Sequence, residues 1–311
     1  MMSRMPRREA GPVPTRARGT LGFTCVLCGP SSGRRVYSVG QWSVACCQRC
    51  ELLRTLPVPD AATLGALYED QRYYRTRSDP SPDVWLARAR EILAVLPSLP
   101  RSLVDFGAGE GRLVRSFRHV GLVSEGIEPS ATGRASAERE LGVKLWQQFP
   151  THHHGYFGAA TLLHSLEHVL DPVATLAGLR PLLAPRGLLF IEVPHAASFD
   201  MLIPGQRRAI LDLPFHLHHF SPKTLDLVVA AAGYETIVVR LFNATPVEAL
   251  LRWRAAWAPG AGTSTSEAAG AAQPEILGRS PRTALRSTLH GVRRLLPGGK
   301  LQLIAAALER R

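Results

Sequence analysis

Between Ser102 and Leu241, short apolar runs alternate with stretches whose apolar residues recur every three or four positions. Ser102–Phe106, Val123–Ile127, Val143–Trp146, Ala159–Leu163, Gly187–Val193 and Glu235–Leu241 read as strands. The segments Gly111–Val120, Thr132–Leu141, Pro172–Leu183 and Pro222–Ala232 between them read as helices. A further amphipathic helix is predicted over Pro82–Leu96, with Trp85, Ala89, Ile92, Leu93 and Leu96 at helical spacing. Strands alternating with helices predict an α/β fold, a parallel sheet covered on both faces. A last apolar run, Leu301–Leu308, stands apart near the end of the chain.

The first strand ends in a glycine loop. Leu103-Val104-Asp105-Phe106 runs into Gly107, Ala108, Gly109 and Gly111, and a helical pattern follows at once. Without a Cβ, such a loop lets backbone pass close to a bound molecule. About twenty residues later, Glu128 closes the second strand in Gly126-Ile127-Glu128-Pro129-Ser130. The spacing is that of a nucleotide site in which a carboxylate accepts ribose hydroxyls. The same glycine string also occurs at ordinary strand–helix turns, and Glu128 also reads as a surface acid. Asp105 stands where a dinucleotide fingerprint has an apolar residue.

Downstream, Thr161-Leu162-Leu163-His164-Ser165-Leu166-Glu167-His168-Val169 reads as a strand entering a helix. With the glycine loop and Glu128, these residues resemble the class I S-adenosylmethionine-dependent methyltransferases over about Leu103 to Phe242. Leu166-Glu167-His168-Val169 followed by Asp171-Pro172 resembles the branch of small-molecule enzymes of the ubiquinone-pathway type. The resemblance implies a Rossmann-like sheet of seven strands, the last of which, Leu301–Leu308, returns antiparallel to the sheet edge. It implies that Asp105, Gly107, Ala108, Gly109 and Gly111 meet the methionine portion of S-adenosylmethionine and that Glu128 takes the ribose. Adenine would lie near Gln147 and Gln148, although relatives often carry an acidic residue there. His164 and Ser165 follow the fourth strand, where open α/β sheets bind ligands, and are expected at the methyl-transfer center. Glu167-His168 reads as a cap for the next helix.

Cys25-Val26-Leu27-Cys28 and Cys47-Gln48-Arg49-Cys50 are two Cys-x-x-Cys units separated by eighteen residues. Two such turns supply four thiolates for one tetrahedral ion. Arg35–Val39 and Trp42–Ala45 between them form a predicted hairpin, so the pattern is that of a zinc ribbon. Four sulfurs close the coordination shell, which makes a zinc at Cys25, Cys28, Cys47 and Cys50 structural. Two disulfides or plain buried thiols are the alternatives. Cys46 reads as a bystander. The ribbon, the break at Leu56-Pro57-Val58-Pro59 and the Tyr-rich segment ending in Tyr73-Tyr74 resemble the subgroup containing sugar C-methyltransferases of nucleotide-linked deoxysugars.

Composition adds a domain plan. The chain has 311 residues, 45% of them hydrophobic, enough for one sizeable core and a small satellite. The expected divisions are a disordered basic N-terminus (1–20), the zinc ribbon (21–58), a helical linker or lid (59–100), the cofactor-binding core (101–245) and an extension (246–311). Within the extension, 258–274 reads as a flexible excursion and 279–296 as a basic amphipathic helix. Net charge is +12, with arginine dominant and both ends basic. A solvated tail or an anionic partner accounts for such ends. No apolar run reaches the length of a spanning helix, and no secretory leader is seen. With its paired cysteines, the chain is expected in the cytoplasm.

Phe215-His216-Leu217-His218-His219-Phe220-Ser221 concentrates three histidines. Deoxysugar C-methyltransferases have a Glu-His pair in a similar stretch. That likeness puts His216 at the position of a general base, with Phe215 where the glutamate would be. No carboxylate adjoins these histidines in sequence, which argues against a metal there. Tyr73 falls where related enzymes put a tyrosine over the cofactor, and Tyr73 and Tyr74 read equally well as packing between ribbon and core. The expected activity is methyl transfer to a small-molecule acceptor, a sugar or natural-product intermediate. The alternatives are an RNA or protein methyltransferase gripping its polymer through ribbon and basic ends, and a non-catalytic scaffold.

Overall fold

Two sheets meet at the histidine-rich segment before Ser221. The computed structural model describes residues 15–16, 19–69, 82–150, 152–202, 204–242 and 299–308. The N-terminal sheet contains β1 (Thr15–Arg16), β2 (Thr20–Cys25), β3 (Gly29–Val39), β4 (Trp42–Cys47) and β5 (Leu53–Leu56), all antiparallel. Strand β3 is long enough to pair with β2 along its first half and with β1 beyond it. Thr15–Arg16 lies within the stretch read as disordered. The open edge of β3 at Tyr37 and Ser38 gives it a backbone ladder.

Helix α1 (Ala61–Glu69) follows, then α2 (Pro82–Val95). The core runs β6 (Ser102–Phe106), α3 (Arg112–His119), β7 (Val123–Ile127), α4 (Ala131–Leu141), β8 (Phe157–Leu163), α5 (Pro172–Leu179) and β9 (Leu183–Pro194). Next come α6 (Pro204–Leu211), β10 (His218–His219), α7 (Pro222–Ala231), β11 (Tyr234–Phe242) and β12 (Lys300–Ala307). The core sheet has the order β11-β12-β9-β8-β6-β7. Strand β12 is antiparallel to both neighbors, as the resemblance implied for the last strand. Val143–Trp146 does not form a strand. A single parallel bridge from Ile127 to Trp146 holds the seventh position. Within this segment Trp146 bonds to the end of β7, its N–H donating to Gly126 O and its carbonyl accepting Glu128 N, whereas the Val143 N–H turns back to Ala137 O of α4. Helix α5 stops at Leu179 and tightens into a 3-10 turn, because Pro181 has no N–H with which to continue the helix.

Alternation along the strands divides the core between two faces. Val104, Leu162, Ile191 and Leu303 face Leu176 and Leu179 of α5 and Leu225, Val228 and Val229 of α7. Their neighbors Leu103, Phe190 and Ile304 face Ala89 and Ile92 of α2 and Leu113 and Phe117 of α3. Cys25, Cys47, Cys50 and Leu52 belong to the first of these clusters, so the cysteine turns are packed on the core. Strand β10 pairs antiparallel with β5, which extends the ribbon sheet into the core chain.

Tyr73, Tyr74, 258–274 and 279–296 lie outside the described residues. Among the described residues, no helix is long and apolar enough to cross a membrane.

Candidate active site and thiol cluster

Strand β6 delivers Asp105 and the glycine loop to the C-terminal edge of the sheet. Gly107 takes φ 74° and Gly109 φ 54°, the left-handed region that glycine enters without penalty. At Gly107 the reason is also steric, since a Cβ there would lie 2.3 Å from Ser165 Oγ. At Gly109 nothing lies within 4 Å of that position, so this face of the loop is open. The amides of Gly107 and Ala108 donate to Ile127 O at 2.8 and 3.1 Å, and Gly111 N donates to Ala108 O at 2.8 Å. Ser165, buried, donates through its hydroxyl to Leu163 O at 3.0 Å.

Glu128 braces this loop. Its Oε2 accepts Gly109 N at 2.8 Å and its Oε1 accepts Ser130 N at 2.8 Å. Each carboxylate oxygen has further lone-pair capacity, which ribose hydroxyls can use. Burial raises the Glu128 carboxyl, against the lowering effect of these two amides. Glu69, from α1, accepts Ala131 N at 2.8 Å and Thr132 N at 3.0 Å, so α1 is fastened to the start of α4 beside Glu128. Asp105 is buried and accepts the Thr161 hydroxyl at 2.6 Å. Burial pushes its carboxyl up to about 7, with the Glu128 charge adding to the rise and the Thr161 hydrogen bond opposing it. Gln147 and Gln148 are exposed and follow Trp146, whose carbonyl accepts Glu128 N at 2.8 Å.

His164 directly follows β8, with φ 50° and its side chain 37% exposed. It lies between two buried carboxylates. Its Nδ1 is 3.4 Å from Glu167 Oε1 and its Nε2 is 3.2 Å from Glu192 Oε1. Burial lowers the imidazole, but the two carboxylates outweigh it and the net shift is upward. Glu192 is also approached by Arg88, by Gln302 Nε2 at 2.6 Å and by Lys300 Nζ at 3.4 Å. Burial would raise its carboxyl, yet His164, Lys300 and Arg88 hold it well below the usual range. Glu167 is lowered in the same way, by His164, His168 and His216 against burial.

Glu167 and His168 do not cap α5. They form a 3-10 turn, and Asp171 caps the helix by accepting Ala174 N at 2.9 Å. His216 is buried, and its ring lies 4.7 Å from that of His168. The carboxylate missing beside the histidines in sequence is therefore supplied in space by Glu167. His218 and His219 are strand residues of the junction between sheets. Burial and the nearby Arg54 push His218 down to about 4. His219 Nε2 lies 3.0 Å from Thr55 Oγ1. Sequence reasoning missed Arg88, Glu167 and Glu192. The one local signal was Glu192 itself, a charge within the apolar run Leu188–Val193.

The four thiols of Cys25, Cys28, Cys47 and Cys50 have their sulfurs within 4.8 Å of one another, and none is in a disulfide. Cys25 and Cys50 Sγ are 3.6 Å apart, near the ~3.8 Å edge of a tetrahedron with zinc–sulfur bonds of about 2.3 Å. Burial works to raise the Cys47 thiol, but hydrogen bonds from Cys50, Arg49 and neighboring thiols bring it to about 7. The donor set and its spacing fit zinc.

A glycine loop braced by the acid of the next strand, on a sheet ending in an antiparallel β11–β12 pair, defines a class I S-adenosylmethionine-dependent methyltransferase. The methyltransferase-domain family profile matches residues 82–239, and the chain belongs to that family. It is 25% identical over 195 residues to a ubiquinone biosynthesis O-methyltransferase of Thiobacillus denitrificans, covering 57% of this chain and 84% of that protein. It is 28% identical over 151 residues to the C-methyltransferase NovU of Streptomyces niveus, covering 44% of this chain and 33% of the relative. A solved S-adenosylmethionine-dependent methyltransferase from Archaeoglobus fulgidus superposes with a TM-score of 0.49 at 17% identity, covering 79% of this chain and all of the other.

Proposed function

We propose that this enzyme methylates a hydroxyl of a small molecule, with His164 as the general base and zinc held by Cys25, Cys28, Cys47 and Cys50 as a structural ion. The observation that carries the reading is His164 between Glu167 and Glu192 at the mouth of β8, next to the Ser165–Gly107 contact. When bound, S-adenosylmethionine supplies an already activated methyl group, so the chain's task is alignment and proton removal.

The two carboxylates have different roles. Glu192 has Arg88, Gln302 and Lys300 as further partners, so His164 Nε2 can leave it for an acceptor hydroxyl at little cost. Glu167 keeps Nδ1 protonated and orients the ring, the logic of a carboxylate–histidine dyad. The reacting form is the neutral ring, in which the Nε2 proton facing Glu192 has first been lost to solvent past the partly exposed imidazole. The acceptor oxygen then attacks the methyl carbon as its proton passes to the freed Nε2, and the carbon–sulfur bond breaks. Asp105, Gly107, Ala108, Gly109, Gly111 and Ser165 line the methionine end, Glu128 takes the ribose, and Gln147 is nearest the adenine. His216, whose ring meets that of His168 edge-on at 4.7 Å, is given the role of a positioning residue that favors the ionized form of Glu167. The likeness to O-methyltransferases favors oxygen as the methylated atom.

The test is His164→Ala. The variant is expected to bind S-adenosylhomocysteine like the parent in calorimetry while losing about 100- to 10,000-fold in kcat with acceptor hydroxyls. Unchanged kcat would remove His164 from the chemistry. Failure of the unaltered chain to bind S-adenosylhomocysteine would remove the pocket assignment itself.

A further inference from the structure

We propose that Glu167, His168 and His216 form a second metal site, separate from the thiol cluster, that takes a divalent first-row cation. All three residues are buried, and one ligand atom from each lies within 4.8 Å of the others. The set comes from two parts of the chain. Glu167 and His168 sit in the turn after β8, and His216 lies between α6 and β10.

The hydrogen bonds of the two imidazoles decide which nitrogen faces inward. His168 Nδ1 is 3.0 Å from Phe215 O, and His216 Nδ1 is 2.7 Å from Ile210 O. A carbonyl oxygen can only accept, so in both rings Nδ1 carries the proton and the neutral ring has its lone pair on Nε2. Anchoring Nδ1–H to a backbone carbonyl is how proteins aim the other nitrogen at a metal. His168 Nε2 indeed points at Glu167, 4.0 Å from Oε1.

Two neutral imidazoles and one carboxylate suit zinc, cobalt, nickel or ferrous iron better than magnesium or calcium. With bonds of about 2.0–2.2 Å, tetrahedral ligands would stand about 3.3 Å apart, so the three groups need only small side-chain movements to close on an ion. A carboxylate has lone pairs for both the ion and His164. The fourth position would face Asp212, whose Oδ2 is 3.9 Å from His216 Nε2 and whose side chain is partly exposed. The backbone around the set is tied together. Leu217 N donates to Glu167 O at 2.8 Å, and the Thr55 hydroxyl of the ribbon donates to His216 O at 2.6 Å. The ribbon thus holds the second site as well as the first.

Cobalt reports on both sites in the untagged full chain, independently of activity and of the acceptor. Titration with Co2+, followed by absorption and elemental analysis, is expected to give two equivalents. One shows intense thiolate charge transfer in the near ultraviolet. The other shows only weak visible bands. Glu167→Gln and His216→Gln are each expected to weaken the second equivalent at least about 100-fold while keeping the first. His152→Ala/His154→Ala, which removes exposed loop histidines, is expected to keep both. Uptake of a single equivalent with thiolate bands by the unaltered chain would overturn the proposal, whatever the variants do. So would a second equivalent that survives in folded Glu167→Gln and His216→Gln, or one that disappears with the loop histidines.

Discussion

The carboxylate of Glu128 accepts the amide of Gly109 at 2.8 Å, and the two residues bring the glycine loop and the end of β7 to one point. With its other oxygen on Ser130 N, Glu128 is set before any ligand arrives. Glu128→Ala removes the brace and, with it, the ribose contact proposed above. Charged hydrogen bonds contribute about 1.5–3 kcal/mol each, so S-adenosylhomocysteine affinity in calorimetry is expected to fall at least tenfold. An affinity within twofold of the parent would contradict the ribose assignment.

Gly107→Ala is expected to abolish cofactor binding, because the new Cβ would stand 2.3 Å from Ser165 Oγ and 2.6 Å from its Cβ. Gly107→Ala/Ser165→Gly removes both atoms and leaves the nearest at 3.8 Å. The double variant should recover much of the binding, short of the ~1 kcal/mol or more that alanine loses at positive φ. Equal loss in both variants would mean that backbone conformation alone matters.

Asp105 gives the pocket a pH dependence. Its folded value of about 7 lies above the ordinary carboxyl range, so between about pH 4 and 7 the folded chain binds more protons than the unfolded one. Its contribution to stability is complete below about pH 4 and declines as pH rises toward 7. The ammonium of a bound methionine group favors the ionized form, so binding near pH 7 should release protons. Calorimetry in buffers of different ionization heat is expected to show this for the parent and not for Asp105→Asn. Buffer-independent heats for the parent would count against the placement of the ammonium near Asp105.

Loss of the thiol cluster should be felt at the histidines. Cys47→Ser, or exhaustive chelation, is expected to lower Tm and to raise amide exchange at His218 and His219 as well as in β2–β4. Strand β5 pairs with β10, and buried Arg54 donates to the carbonyls of Thr24 and Leu170, so the ribbon and the core share one cluster. Exchange confined to the ribbon would show the two parts to be energetically independent.

What the chain's order alone determined were features made from neighbors in sequence. Strand and helix periods, the glycine loop, the acid at the end of β7 and the paired Cys-x-x-Cys turns all depend on a few consecutive residues, and each was legible. The strand expected at Val143–Trp146 failed because an edge strand needs a partner along its length, and of these four residues Trp146 alone bridges to β7, at Ile127. The surroundings of His164 were illegible for a different reason. Glu167 reaches His216 because β10 is zipped onto β5, Thr55 grips the His216 carbonyl and Leu217 N donates to Glu167 O, and Glu192 meets His164 through the parallel pairing of β8 with β9. Such contacts are set by the closing of long loops against a common core, and no local pattern in the chain encodes which buried charges will face one another.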